Sequence, residues 1–284
     1  MIKNKKAQIF TIIAILLLGL TFISFEVFSV VERRQEINSR ISTMESFLFS
    51  IEENLQRQIF ISGFRVIFLS QNEIAVSGNY LLNVNDFFQE AFFNGTINGN
   101  PQEILLGATY DDLIDSINQK ADKINVNIVL SNPVLTISQE DPWNVKLTLT
   151  TNFTMQDQSN LARWEKQQVI TSYIPIEGFL DPVYTLNSNR LVLNKIKKTP
   201  YSTFVQGSDV SNLLNHTTNS YYINSTTAPS FLNRLEGNLN ANQNGIESLV
   251  YLPDLSAQNI QTQDKSIVDY IYFSSNNPGP STIA

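Results

Sequence analysis

Apolar positions fill the first part of the chain almost without interruption. From Ile9 to Phe25 there is neither charge nor proline, and only Thr11, Gly19, Thr21 and Ser24 break the run. The segment Gln8 to Val31, QIFTIIAILLLGLTFISFEVFSVV, is therefore predicted to be a helix that spans a lipid bilayer. Roughly 20 residues at about 1.5 Å each cross a hydrocarbon core of about 30 Å. A helix is required because every backbone N–H and C=O must be satisfied within the segment. The preceding MIKNKKA holds Lys3, Lys5 and Lys6 and no acid, which assigns that end to the cytoplasm and the remaining chain to the outside.

Beyond Val31 the chain turns polar, yet the helical period persists. Ile37, Ile41, Met44, Leu48, Ile51 and Leu55 recur at steps of four and three, with Glu32, Arg33, Glu45, Glu52, Glu53 and Arg57 on other faces. Such a seam fits either an amphipathic helix packed on its own head or a short coiled coil between subunits. Both keep one helix from Gln8 to about Phe60, since beyond Val31 neither Pro nor Gly intervenes before Gly63. Between Gly63 and Asn85 short apolar runs alternate with turn signals, and helix and strand cannot be separated there.

The rest of the pattern predicts a head of mixed structure. Asp86 is a candidate cap for a short helix carrying Phe87, Phe88, Phe92 and Phe93, which ends in the turn-rich NGTINGNP. Thr109 and Asp112 stand at capping-box spacing before a helix whose face is Leu113, Ile117, Ala121 and Ile124. Two strands are expected at 126–131 and 134–138, parted by Asn132-Pro133. The clearest strand is Asn144 to Gln156, where Val145, Leu147, Leu149, Phe153 and Met155 alternate with Lys146, Thr148, Thr150, Asn152 and Thr154. KQQVITSYIPI reads as its antiparallel neighbour, Asp181-Pro182 closes that unit, and VYTLN and RLVLNKI extend the β-rich region. From about Gly207 to Gly245, Asn, Ser and Thr take over, which suggests a long surface loop or a poorly ordered insert, with one helical patch for which Ser230 is a candidate cap. SLVYL and SIVDYIYF then resemble strands before the tail SSNNPGPSTIA.

Composition narrows the function classes. With 284 residues, the portion after the anchor suffices for one large domain or two small ones. The formal net charge is −7, and setting aside the leader lysines leaves the rest more acidic still, which speaks against nucleic acid as a partner. There is no cysteine, so no disulfide, thiolate nucleophile or cysteine metal site can form.

Three readings of the N-terminus remain open: a cleaved secretory signal, for which FEVFSVVERR offers no small-residue cleavage pattern, a plain uncleaved anchor, and a processed leader. For the third, Lys5-Lys6-Ala7-Gln8 followed at once by IFTIIAILLL resembles the class III signal of archaeal type IV pilin-like proteins. The resemblance implies cleavage by a prepilin peptidase on the cytoplasmic side, between Ala7 and Gln8, so that the apolar segment stays on the mature protein. It also implies an encounter with pilus-assembly machinery and with like subunits. One position departs from the pattern. Many such subunits have Glu at the fifth mature position, where this chain has Ile12, and its first acid is Glu26.

Candidate chemistry is sparse. His216 is the only histidine and, in a Thr/Asn context, reads as a surface residue rather than as part of a triad or metal site. There is no GxGxxG, P-loop or HExxH. The acidic pairs Glu52–Glu53, Asp111–Asp112 and Glu140–Asp141 read as solvated or helix-start charge, and no EF-hand spacing supports calcium at the last. No cofactor is expected and no enzyme activity is assigned. N-x-[ST] sequons at Asn94, Asn152, Asn215 and Asn224 are candidate N-glycosylation sites. Their number is what frequent Asn, Ser and Thr produce by chance, whereas their expected placement in loops and on a wet strand face fits an exported domain.

The expected fold class is α+β: a long N-terminal transmembrane helix continuing into an extracellular head of antiparallel sheet and packed helices, type IV pilin-like as the resemblance implies. The expected organisation is a basic cytoplasmic leader at 1–7, the transmembrane helix at 8–31, an amphipathic extension at 32–62, and the head at 63–284 with its polar insert at about 207–245. The expected role is a single-pass, cell-surface structural protein, either a filament subunit or a minor pseudopilin-like component of an assembly or secretion apparatus. The alternative is an anchored ectodomain for ligand binding or sensing that does not polymerise.

Overall fold

The computed structural model describes residues 5–187 and 193–248. Its spine is α1, Lys5–Ser77, a single helix of 73 residues that extends to about 110 Å at 1.5 Å per residue. No proline interrupts it, and it ends where Gly78 adopts φ +74° and donates its N–H to Ile74 O at 3.0 Å. The helix passes well beyond the expected end near Phe60 and through Gly63. The reason is tertiary. At Gly63 the helix lies so close to the sheet that a Cβ would stand 2.2 Å from Leu147 Cδ1 and 2.3 Å from Ile174 Cδ1. The glycine that reads as a stop is there to permit contact.

The seam of α1 turns onto its own head. Met44, Ile51, Leu55, Ile59, Val66, Ile67 and Ile74 are buried, and Ile37, Ile41 and Leu48 are half-buried. Polar groups on this face are partnered: Ser70 Oγ donates to Ile67 O at 2.7 Å and Gln71 Nε2 to Leu180 O at 2.7 Å.

Helix α2 spans Val84–Asn94, with Phe88 and Phe92 in the core. Its cap is Asn83 rather than Asp86, since Asn83 Oδ1 accepts from Asp86 N at 3.2 Å. The turn-rich stretch after it forms a small hairpin, β1 (Thr96–Ile97) with β2 (Asn100–Pro101), joined by Asn98 and Gly99, both at positive φ. Helix α3, Tyr110–Asp122, begins with the expected capping box of Thr109 and Asp112 and buries Leu113, Ile117 and Ala121.

The main sheet is antiparallel in the order β3 (Val126–Asp141), β4 (Asn144–Asp157), β5 (Arg163–Pro175). The two strands expected at 126–131 and 134–138 are one strand with a bulge at Asn132-Pro133. Asn132 takes φ +52°, and among the described residues β3 is an edge strand, so the proline deprives no described neighbour of a donor. On β4 the apolar alternation is buried, with Thr151 among it, its Oγ1 donating to Ser131 O at 3.0 Å. Helices cover that face, and among the described residues no second layer lies on the face carrying Lys146, Thr148 and Asn152, giving an α+β sandwich of one sheet and its helices.

The C-terminal half differs most from expectation. VYTLN is helical, within α4 (Pro182–Asn187), because Asp181 Oδ1 accepts from Val183 N at 3.0 Å and starts a turn. Of RLVLNKI, residues 190–192 lie outside the described residues, and the remainder pairs with 178–181 through a bridge between Leu180 and Lys195. The polar stretch expected as a surface loop folds into α5 (Ser211–Thr218), β6 (Ile223–Asn224), α6 (Phe231–Leu235) and β7 (Ile246–Glu247), with β6 and β7 antiparallel. Ser230 caps α6 as expected. SIVDYIYF, the tail and all but Ser248 of SLVYL lie outside the described residues.

Candidate functional site

Lys5, Lys6, Ala7 and Gln8 open α1, at the start of the described chain. From Ile9 to Val31 every side chain is exposed, and among the described residues this is the one helix long and apolar enough to cross a membrane. Two of its hydroxyls bond back within the helix: Thr21 Oγ1 donates to Leu18 O at 2.8 Å and Ser29 Oγ to Glu26 O at 2.9 Å. Such back-bonding makes these hydroxyls tolerable in hydrocarbon. Gly19, in contrast to Gly63, has nothing within 4 Å of an added Cβ.

The helix meets the head at Arg40. Its Nε donates to Asp157 Oδ1 at 2.8 Å, its Nη2 reaches the same oxygen, and Nη2 also donates to Ile124 O at 3.0 Å and Asn125 O at 3.2 Å. Asp157 sits at the end of β4 with its carboxylate fully covered, and its Oδ2 accepts from Ser159 N at 2.9 Å. Burial pushes this carboxyl up, but the Arg40 guanidinium and the backbone N–H groups of Leu161 and Ser159 outweigh it and hold it below the usual carboxylate range. One guanidinium thus ties α1 to the end of α3 and to the sheet.

A second charged centre lies in the C-terminal half. Arg234 of α6 and Asp181 are both fully buried and ion-paired at 2.5 Å. Tyr222 OH donates to Asp181 Oδ2 at 2.8 Å, Asn194 Nδ2 donates to Tyr222 OH at 3.0 Å, and Arg234 Nη2 donates to Ile246 O. This network holds α4, α6, β7 and the 194 segment together. Its chemistry is structural, because each charged group is occupied by a protein partner.

His216, expected at the surface, is fully buried. It lies on the inner side of α5 with its ring 4.9 Å from that of Phe204. Nε2 stands 3.0 Å from Ser248 O and Nδ1 3.2 Å from Thr199 Oγ1, so the neutral ring donates to the carbonyl and accepts from the hydroxyl. Burial lowers its pKa, and the Ser248 carbonyl opposes this in part. The alternating polar context concealed an amphipathic helix whose inner face is Leu213 and His216.

The acidic pairs have local roles. Asp112 accepts from Thr109 N at 3.0 Å in the capping box, Glu52 pairs with Lys166, Glu140 pairs with Lys146 at 2.7 Å, and Asp141 Oδ1 accepts from Trp143 N at 2.8 Å in the β3–β4 turn. No group of three or more metal-ligating side chains occurs among the described residues. The sequon residues are all exposed: Asn94 ends α2, Asn152 lies on the wet face of β4, Asn215 on α5 and Asn224 in β6. Asn94, Asn215 and Asn224 are therefore in elements rather than in the loops expected.

Sequence reasoning did not find Arg40, Asp181 or Arg234. The available signal was a charge set directly in an apolar frame, as in GFLD at 178–181 and FLNRL at 231–235. No family model matches the chain, and no curated protein or solved structure matches it significantly.

Proposed function

We propose that this chain is a type IV pilin-like surface protein, anchored through residues 8–31 in the lipid bilayer with its N-terminus cytoplasmic and its head outside the cell. Its role is structural, as a filament subunit or as a minor pseudopilin-like component of an assembly or secretion apparatus. Its partners are the bilayer, a prepilin peptidase acting at Lys5-Lys6-Ala7-Gln8, the assembly machinery and like subunits, and nucleic acid is not among them. The observation that carries the reading is α1 itself. Its first part is wholly exposed and apolar, and the same helix continues without a break to lie across an antiparallel sheet. Exposed sequon positions on the head are consistent with an exported domain.

Mass spectrometry of the protein purified from native membranes tests the processing. A mature N-terminus at Gln8 is expected, and an intact Met1–Ala7 segment overturns it. A second reading, an anchored ectodomain that binds or senses without polymerising, is favoured by Ile12 at the fifth mature position. Negative-stain images of cells labelled with antibody against the head separate the two, since labelled filaments are expected only from a subunit.

A further inference from the structure

One exposed apolar groove on the head is built as a receptor. It runs between α1 and the short ribbon in which 178–181 pairs with 193–196, and it encloses about 650 Å³. Phe64 and Phe68, one helical turn apart on α1, form one wall and are 45% and 50% exposed. Phe179 packs against Phe64 with ring centroids 5.0 Å apart and the rings tilted by 44°, and Leu193 on the far wall is 59% exposed. Two cations, Lys195 and Lys197, stand over the groove in a chain whose net charge is −7. The one carboxylate of the lining, Glu177, accepts from the Lys198 N–H at 3.4 Å, and Gln71 already donates to Leu180 O. An apolar trough under a cationic rim selects an extended apolar segment that carries an acid.

We propose that the occupant is residues 266–273 of this same chain, SIVDYIYF, docking intramolecularly. In an extended conformation Ile267, Asp269, Ile271 and Phe273 share one face, which would set apolar side chains on the phenylalanines and the Asp269 carboxylate under Lys195 and Lys197. Reach favours this partner. The described chain ends at Ser248, whose hydroxyl is 2.6 Å from Tyr184 OH. Tyr184 lies on α4, which begins two residues after Leu180 of the groove wall. The intervening residues 249–265 extend to more than about 55 Å, ample to return from that point. The inference rests on the groove and on the sequence of the tail, and it holds whether or not the chain enters a filament.

The absence of native cysteine allows a direct test in the full-length protein in detergent. Leu193→Cys with Ile271→Cys, and separately Phe68→Cys with Ile271→Cys, should on mild oxidation give a reductant-sensitive monomer of altered mobility. The pair Phe49→Cys with Ile271→Cys, also at an exposed position of α1 but away from the groove, should not. Adding Lys195→Glu and Lys197→Glu should slow the groove cross-links several-fold. Equal cross-linking at Phe49 and at the groove, cross-linking only between molecules, or no cross-link from either groove pair overturns the proposal.

Discussion

Residues 9–31 and residues 44–77 belong to one helix, yet their two glycines sit in opposite surroundings. Around Gly19 there is open space, whereas Gly63 is pressed against Leu147 and Ile174 of the sheet. The first region makes no contact with the head that the helix requires, because its backbone and the hydroxyls of Thr21 and Ser29 are bonded within the helix. The second region is defined by what it touches, down to the carbonyl oxygen that Gln71 reaches on Leu180. A helix can be specified by its own composition or by its neighbours, and α1 uses both along its length.

Deletion of residues 8–31 is the most drastic way to probe this division. The protein should move from the membrane fraction to the soluble fraction on ultracentrifugation, while the head keeps its thermal unfolding midpoint. A lowered midpoint would show that the two regions are not independent.

Within the head, Asp181→Ala should have the largest effect on stability, about 3–5 kcal/mol, because Arg234 is left buried and unpaired with its partner gone. Denaturant unfolding reads this loss, and the paired change Asp181→Leu with Arg234→Met should cost less than either single change. Arg40→Ala should cost about 2 kcal/mol, since it strips the covered Asp157 carboxylate of its cation but leaves the Ser159 N–H in place.

Gly63→Ala should destabilise the head by about 1–3 kcal/mol through overpacking. Alanine ordinarily favours a helix over glycine by about 1 kcal/mol, so the sign of the change is diagnostic. Gly19→Ala should leave the unfolding of the head unchanged, and a matching loss there would contradict the open space seen around it.

The smallest effect is that of pH. His216 is held neutral in the folded head, with its pKa below the ordinary value of about 6.5. The unfolded chain therefore binds a proton that the folded one refuses, and stability should be full above about pH 7 and fall as pH drops through about 6.5. Asp157 acts in a lower window. Its depressed carboxyl contributes fully above about pH 4 and loses that contribution as pH falls further through its folded pKa. Melting temperatures from pH 8 to pH 5 should decline in the wild type and decline less in His216→Gln.

Legibility followed the range of the interaction. The capping box at Thr109 and Asp112 was readable because both partners lie within one turn, and β4 because a strand with one wet face repeats every two residues. Asn132-Pro133 misled because proline ends a central strand but not an edge strand, and strand order is not written locally. The stretch from Gly207 to Gly245 misled because its polar residues are helix caps, turns and the exposed faces of short elements packed by Leu213, Phe231 and Leu235.

The sequence by itself determined the exposed apolar helix, its basic flank and the alternating strand at the centre of the sheet. In each, the deciding interaction lies within a few residues or with solvent and lipid. Only the tertiary structure decided that Gly63 continues a helix, that His216 is buried, and that Arg40 and Arg234 meet Asp157 and Asp181. Those outcomes depend on partners 53 to 117 positions away for the ion pairs. No local pattern encodes a neighbour that only folding supplies.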